Sequence, residues 1–177
     1  MPLNMKEVRH SISINQVETW NLKEKGEINK ETSAKEYCSW EEVDILTKTI
    51  AQKIRNSNKK YDAIIGITNG GIIPARALAK QLEINDIQFI PVRNKKLYLK
   101  VMPILSKDKK YLIVDEIYDT GETLSKVDNV LKKFDYDFAF LMSRYRYNGK
   151  PFAYVGKLLN HNKWIVFPWE VKNNDYR

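Results

Sequence analysis

Two adjacent carboxylates, Asp115 and Glu116, follow an apolar run, and after two spacers comes Asp119-Thr-Gly-Glu-Thr123. A turn of small and hydroxylic residues that opens a helix offers backbone N–H groups and the positive end of the helix dipole to an anion. Thr120 and Thr123 add hydroxyl donors, and Gly121 and Glu122 complete the turn. Carboxylates beside such a cradle suit vicinal hydroxyls or a hard cation such as Mg²⁺. The combination fits a sugar phosphate, with the phosphate on residues 120–123 and the diol or metal on Asp115 and Glu116.

Three plainer readings compete. The apolar run ending in Asp-Glu resembles the Walker B strand of a nucleoside triphosphatase, but that chemistry needs a G-x-x-x-x-G-K-[ST] loop. The nearest candidate, Gly66 to Gly71, is followed by Ile72. A dinucleotide-binding turn needs G-x-G-x-x-G, which does not occur. An ordinary strand–turn–helix with Asp119 as N-cap accounts for fewer of the matched positions than the phosphate cradle does.

The elements that position this segment follow from periodicity. Ser39 reads as a helix N-cap with Glu42 at the capping-box position, and apolar residues from Val43 to Ile54 recur at helical spacing, predicting a helix over 40–56. Short apolar runs at 61–67, 87–92, 110–115 and 138–142 read as buried strands. Helical patterns fill 72–82 and 121–134. Strands alternating with helices predict a doubly wound α/β fold, its sheet mainly parallel and flanked by helices, with ligands outside the C-terminal strand ends. Residues 93–109 are basic and alternating, a β-ribbon able to move. The aromatic tail, 143–177, is expected to form a small hood over one sheet end. Residues 1–37 read as an N-terminal extension of unassigned role, leaving 38–142 as the core.

Composition bounds the rest. The 177 residues make one domain, and 43% hydrophobic with 29% charged residues is the balance of a globular protein. One cysteine and two histidines leave no Cys- or His-built metal site. No apolar stretch approaches a membrane span, and with no signal-like start the cytoplasm is the expected address. Thirty basic against 22 acidic residues give +8, which suits small polyanionic substrates or nucleic-acid phosphates.

Asp115-Glu-Ile-Tyr-Asp-Thr-Gly-Glu-Thr123 resembles the phosphoribosyl-diphosphate signature of type I phosphoribosyltransferases. Gly66-Ile-Thr-Asn-Gly-Gly-Ile-Ile-Pro-Ala75 is similar to that family's pyrophosphate loop. Ser39-Trp40 and the ending Trp164-Ile-Val-Phe-Pro-Trp-Glu170 resemble its xanthine–guanine subgroup. The resemblance implies transfer of ribose 5-phosphate from 5-phosphoribosyl 1-diphosphate to a purine base, with Mg²⁺ as cofactor and a dimer or tetramer as assembly. It implies that residues 120–123 grip the 5-phosphate, that Asp115 and Glu116 hold the ribose hydroxyls with Glu116 near the metal, and that Asp119 meets the base as the catalytic proton carrier. Asn69, Gly70 and Gly71 fall on the pyrophosphate loop, and Arg93, Lys95, Lys96 or Lys100 of the ribbon is the candidate for the cation that Asn69 does not supply. Trp164 and the main chain at Ile165 fall on the base.

Two positions depart from the subgroup. Asn69 stands where an arginine commonly precedes the two glycines. Where the subgroup has a lysine for the base's exocyclic oxygen, this chain offers Arg146 or Arg144. Glu170 reads either as a second metal contact or as a surface acid. A different class of reading also stands: a non-catalytic module that binds nucleotides or phosphoribosyl diphosphate and contacts nucleic acid, suggested by the charge, the extension and Asn69. A pyrimidine acceptor is disfavoured by the tail.

Overall fold

The computed structural model describes residues 34–171. Its elements in chain order are β1 (Lys35–Tyr37), α1 (Trp40–Asn56), β2 (Ala63–Ile67), α2 (Ile72–Leu82), β3 (Ile87–Ile90), β4 (Val92–Arg93), β5 (Lys96–Leu97), a 3₁₀ turn (Leu99–Val101), β6 (Lys110–Tyr118), α3 (Glu122–Leu131), β7 (Asp135–Ser143), β8 (Ala153–Leu158) and β9 (Trp164–Val166). The central sheet has the order β3-β2-β6-β7-β8, every neighbour pair parallel. Alternate strand residues face opposite sides. Ile64 and Leu112 meet Leu46, Ile50, Ala75 and Leu78 of α1 and α2 on one face. Ile65, Ile113 and Phe138 meet Leu124, Val127 and Leu131 of α3 on the other. This is the expected α/β architecture with helices on both faces.

The sheet has five strands where the sequence suggested four. β8 lies inside the stretch read as hood, and it escapes a pattern search because Gly156 and Lys157 break its apolar run. The hood proper is smaller: β9 pairs in parallel with β1, Lys35 opposite Trp164. Residues 35–37, read as the end of the extension, are therefore tied to the tail, and residues 1–33 lie outside the described part. α3 stops at Leu131, short of 134. The ribbon is a hairpin, β4 against β5, turning through Asn94 and Lys95, both at positive φ (48° and 59°), the backbone of a type I′ turn.

The start of α1 is as predicted at its cap and different at its box. Ser39 Oγ accepts the Glu42 N–H at 3.0 Å, but the Glu42 carboxylate turns away to Lys157 Nζ at 2.8 Å. A full charge on Lys157 attracts it more than a backbone amide would.

Candidate active site

β6 is longer than the apolar run suggested, and that length creates the site. β2 pairs with β6 only as far as Gly66 opposite Val114, whereas β7 accompanies β6 to Tyr118 opposite Ser143. Asp115 and Glu116 thus sit in strand, on the stretch of β6 that has outrun β2. The vacated space is filled by the loop 68–71. A Cβ on Gly70 would fall inside the Glu116 carboxylate, and one on Gly71 would strike the Val114 carbonyl, so only glycines let this loop pass under the acids. The loop is fastened to the ribbon by Thr68: its hydroxyl accepts from the Val92 N–H at 3.0 Å and donates to the Val92 carbonyl at 3.2 Å. Asn69 is exposed at the loop's crest. Thr68 went unread in the sequence, since its partner lies across the sheet edge.

The acids are short of partners. Asp115 accepts one hydrogen bond, from the Glu116 N–H at 3.0 Å. Burial, and after it the neighbouring Glu116 carboxylate, push its carboxyl well above the usual range. Glu116 Oε2 is buried with no hydrogen-bond partner among the described residues. Buried polar atoms are seldom left so. The combination fits a hard cation or a sugar diol supplied from outside.

Beyond Tyr118 the chain makes its turn. Gly121 takes φ 77°, and its missing side chain leaves room for the Tyr118 ring, which a Cβ would meet at 3.3 Å. Tyr118 is itself stacked on Phe140 at 5.4 Å and crossed by Tyr147 at 5.6 Å, so the turn rests on a fixed aromatic floor. No side chain caps α3 at Gly121; only Thr120 Oγ1 comes near the Glu122 N–H, at 3.4 Å. With Thr123 half-buried in the first turn, this helix start keeps donors available for an anion.

The Glu122 side chain faces away from that cradle. It pairs with Lys126 and Lys95, each at 2.9 Å, and Lys126 also donates to the Lys95 carbonyl at 2.7 Å. These lysines draw the Glu122 carboxyl down to about 2. Lys95 is thereby committed to α3, and Arg93 is exposed on β4.

Asp119, 43% exposed, holds Arg144 Nε at 2.8 Å. Arg144 also donates to the carbonyls of His161 and Lys163, both at 2.9 Å, and so joins Asp119 to the loop that leads into Trp164. Trp164 is 62% exposed and Ile165 is buried; the Trp164 N–H is taken by the Ala34 carbonyl at 3.1 Å. Arg146 is exposed, and Arg144 is the arginine paired with Asp119. Phe167 and Trp169 stack on each other at 4.9 Å and pack against the core, and Trp169 also meets Trp40 at 5.9 Å. Glu170 accepts the Phe167 N–H at 2.9 Å and closes a turn. Cys38 is buried, its thiol pushed up to about 12 by burial first and Glu42 next, which makes it inert.

A phosphoribosyl transferase domain model matches residues 33–175. The chain belongs to that family. Xanthine-guanine phosphoribosyltransferase of Desulfotalea psychrophila is 26% identical over 143 residues, covering 76% of this chain and 86% of that protein. Among solved structures, purine phosphoribosyltransferase from Pyrococcus horikoshii is 34% identical with a TM-score of 0.63, over 78% of this chain and 95% of its own. A Neisseria gonorrhoeae protein with bound ppGpp is 27% identical with a TM-score of 0.67, over 81% and 93%. The phosphoribosyltransferase fold and signature read from the sequence are those of the structure. No helix among the described residues is long and apolar enough to cross a membrane.

Proposed function

We propose that this phosphoribosyltransferase transfers the 5-phosphoribosyl group from 5-phosphoribosyl 1-diphosphate to a 6-oxopurine, as a cytoplasmic, self-associating salvage enzyme. The observation that carries the reading is the juxtaposition of an uncapped helix start with two under-partnered carboxylates. The amides and hydroxyls of 120–123 receive the 5-phosphate. Asp115 and Glu116 receive the ribose diol, and Glu116, with its orphaned oxygen, is the residue to hold Mg²⁺. The metal, when bound, would offset the charge of the diphosphate. Residues 69–71 and the ribbon cation Arg93 face the diphosphate. Trp164 stacks on the base.

In the transfer, the C1–O bond to diphosphate breaks and its electron pair leaves with the diphosphate. A C1–N bond forms to the base nitrogen, whose proton passes to the Asp119 carboxylate. Holding both reactants in line supplies much of the acceleration. The test is pyrophosphate release on incubation with phosphoribosyl diphosphate, Mg²⁺ and guanine, xanthine or hypoxanthine; silence with all three overturns the reading.

A nucleotide-binding regulatory role is favoured by one observation, the structural neighbour with ppGpp bound. It predicts ppGpp binding together with DNA or RNA binding that weakens steeply with salt. Turnover without any nucleic-acid binding removes it.

A further inference from the structure

Arg144 is placed unlike any other cation of the site. Its amide continues the β6–β7 ladder by donating to the Tyr118 carbonyl at 3.0 Å. Its side chain then runs inward, only 8% exposed, across Asp119. All three guanidinium nitrogens find a separate acceptor: Nε the Asp119 Oδ1 at 2.8 Å, Nη1 the His161 carbonyl and Nη2 the Lys163 carbonyl, both at 2.9 Å. A planar fork has fixed angles between its donors, so three simultaneous bonds fix three acceptors relative to one another. The loop so gripped is also anchored at its ends. The Leu159 N–H meets the Ser143 carbonyl at 2.8 Å, His161 Nε2 meets Glu36 at 2.8 Å, and Trp164 enters the β1 ladder. Between those ends the Lys163 N–H donates to His161 Nδ1 at 3.2 Å, and Arg144 takes the carbonyls of His161 and Lys163.

We propose that Arg144 is a positioning residue that sets the plane of the base against Asp119. It acts through the two loop carbonyls just before Trp164 and through the carboxylate that takes the proton. A lysine here supplies charge from a single point and can reach one of the three acceptors at a time. The arginine trades a point contact for a brace. The inference rests on the proposed transfer reaction for its kinetic arm, and stands apart from it in its structural arm.

The experiment uses the full chain and the variants Arg144→Lys and Arg144→Ala, each checked for wild-type circular dichroism. Hydrogen exchange, which needs no substrate, is expected to quicken at the amides of 161–165 in Arg144→Lys, by about tenfold or more, while α1 and β7 exchange as before. In turnover, KM for the base is expected to rise about tenfold in Arg144→Lys with KM for phosphoribosyl diphosphate within about twofold. Guanidinium at tens of millimolar is expected to restore part of the kcat lost in Arg144→Ala. Unchanged loop exchange in Arg144→Lys overturns the brace, as does an equal rise in both KM values. If the wild-type chain transfers to no base, the transfer reaction has failed, and the exchange result alone decides whether Arg144 holds the loop.

Discussion

Asp137 and Asp115 lie on neighbouring strands toward opposite ends of one sheet, and the protein treats them in opposite ways. Asp137, buried near the start of β7, accepts from the Tyr61 hydroxyl at 2.6 Å, Lys59 Nζ at 2.9 Å and the Phe152 N–H at 3.0 Å. Burial alone would raise its pKa, but these partners outweigh burial and hold it below the usual range. Asp115, near the end of β6, has one amide and a like-charged neighbour, and its pKa moves up. One end of the sheet completes its electrostatics internally. The other leaves them open, where parallel strands place their ligands. A deficit of partners at that edge therefore marks a site, and a full set of partners at the opposite edge marks a strut.

The largest effect should come from the open end. Asp119→Asn is expected to lower kcat by about 10²- to 10⁴-fold, with phosphoribosyl-diphosphate binding and melting temperature near wild type. A variant whose binding falls as far as its turnover would remove the proton-carrying role. At the closed end the balance reverses. Asp137→Ala removes the acceptor of the Phe152 amide and the charged partner of the Tyr61 hydroxyl and Lys59, and should cost about 3 kcal/mol of stability, read by denaturant titration, while kcat stays within about twofold. Full stability in this variant would break the contrast.

Asp115→Asn is the sharper probe, because the two carboxylates give pH dependences of opposite sign. The folded pKa of Asp137 lies below its unfolded value of about 3.9, so its contribution is complete above about pH 5 and is lost as pH falls. The folded pKa of Asp115 lies above that value, so wild type loses stability relative to Asp115→Asn as pH rises past about 4. The variant should be the more stable protein at pH 7 by about 1 kcal/mol, a site's strain relieved at the expense of its function. Thermal melts from pH 3 to 8 that run parallel for wild type and Asp115→Asn would show that the acids are not in conflict.

What the sequence made legible was local. The capped start of α1, the apolar runs of β2 and β6, and the turn after Tyr118 are each set by residues a few positions apart, and each is in the fold. The length of β6 was not legible, because Asp115 and Glu116 are poor strand residues that β7 recruits by pairing. Nor was β8, whose Gly156 and Lys157 hide a strand that tertiary packing makes. The hold of Arg144 on the carbonyls at His161 and Lys163 was not legible either, since nothing in the spacing of two arginines points to a loop that far along the chain. Lys95 read as a diphosphate cation from its charge; its pairing with Glu122 depends on how the hairpin folds back onto α3.

The contrast between completed and open polar groups recurs, with the smallest energies, at two helix starts. α1 is closed by Ser39, whose hydroxyl takes the Glu42 amide at 3.0 Å; α3 begins at a glycine with Thr120 only grazing its first turn at 3.4 Å. Ser39→Ala should therefore cost about 1 kcal/mol of stability and leave the kinetics alone, since the helix it caps meets no substrate. Thr120→Ala should do the reverse. Its hydroxyl closes little in the free protein, so the melting temperature should hardly move, but a hydrogen bond to a phosphate dianion is worth enough to raise KM for phosphoribosyl diphosphate about tenfold. The cradle would be a mere helix start if the two alanines behaved alike, both costing stability and neither touching KM. Opposite responses would mean that α3 was left without a cap because the substrate's phosphate provides one.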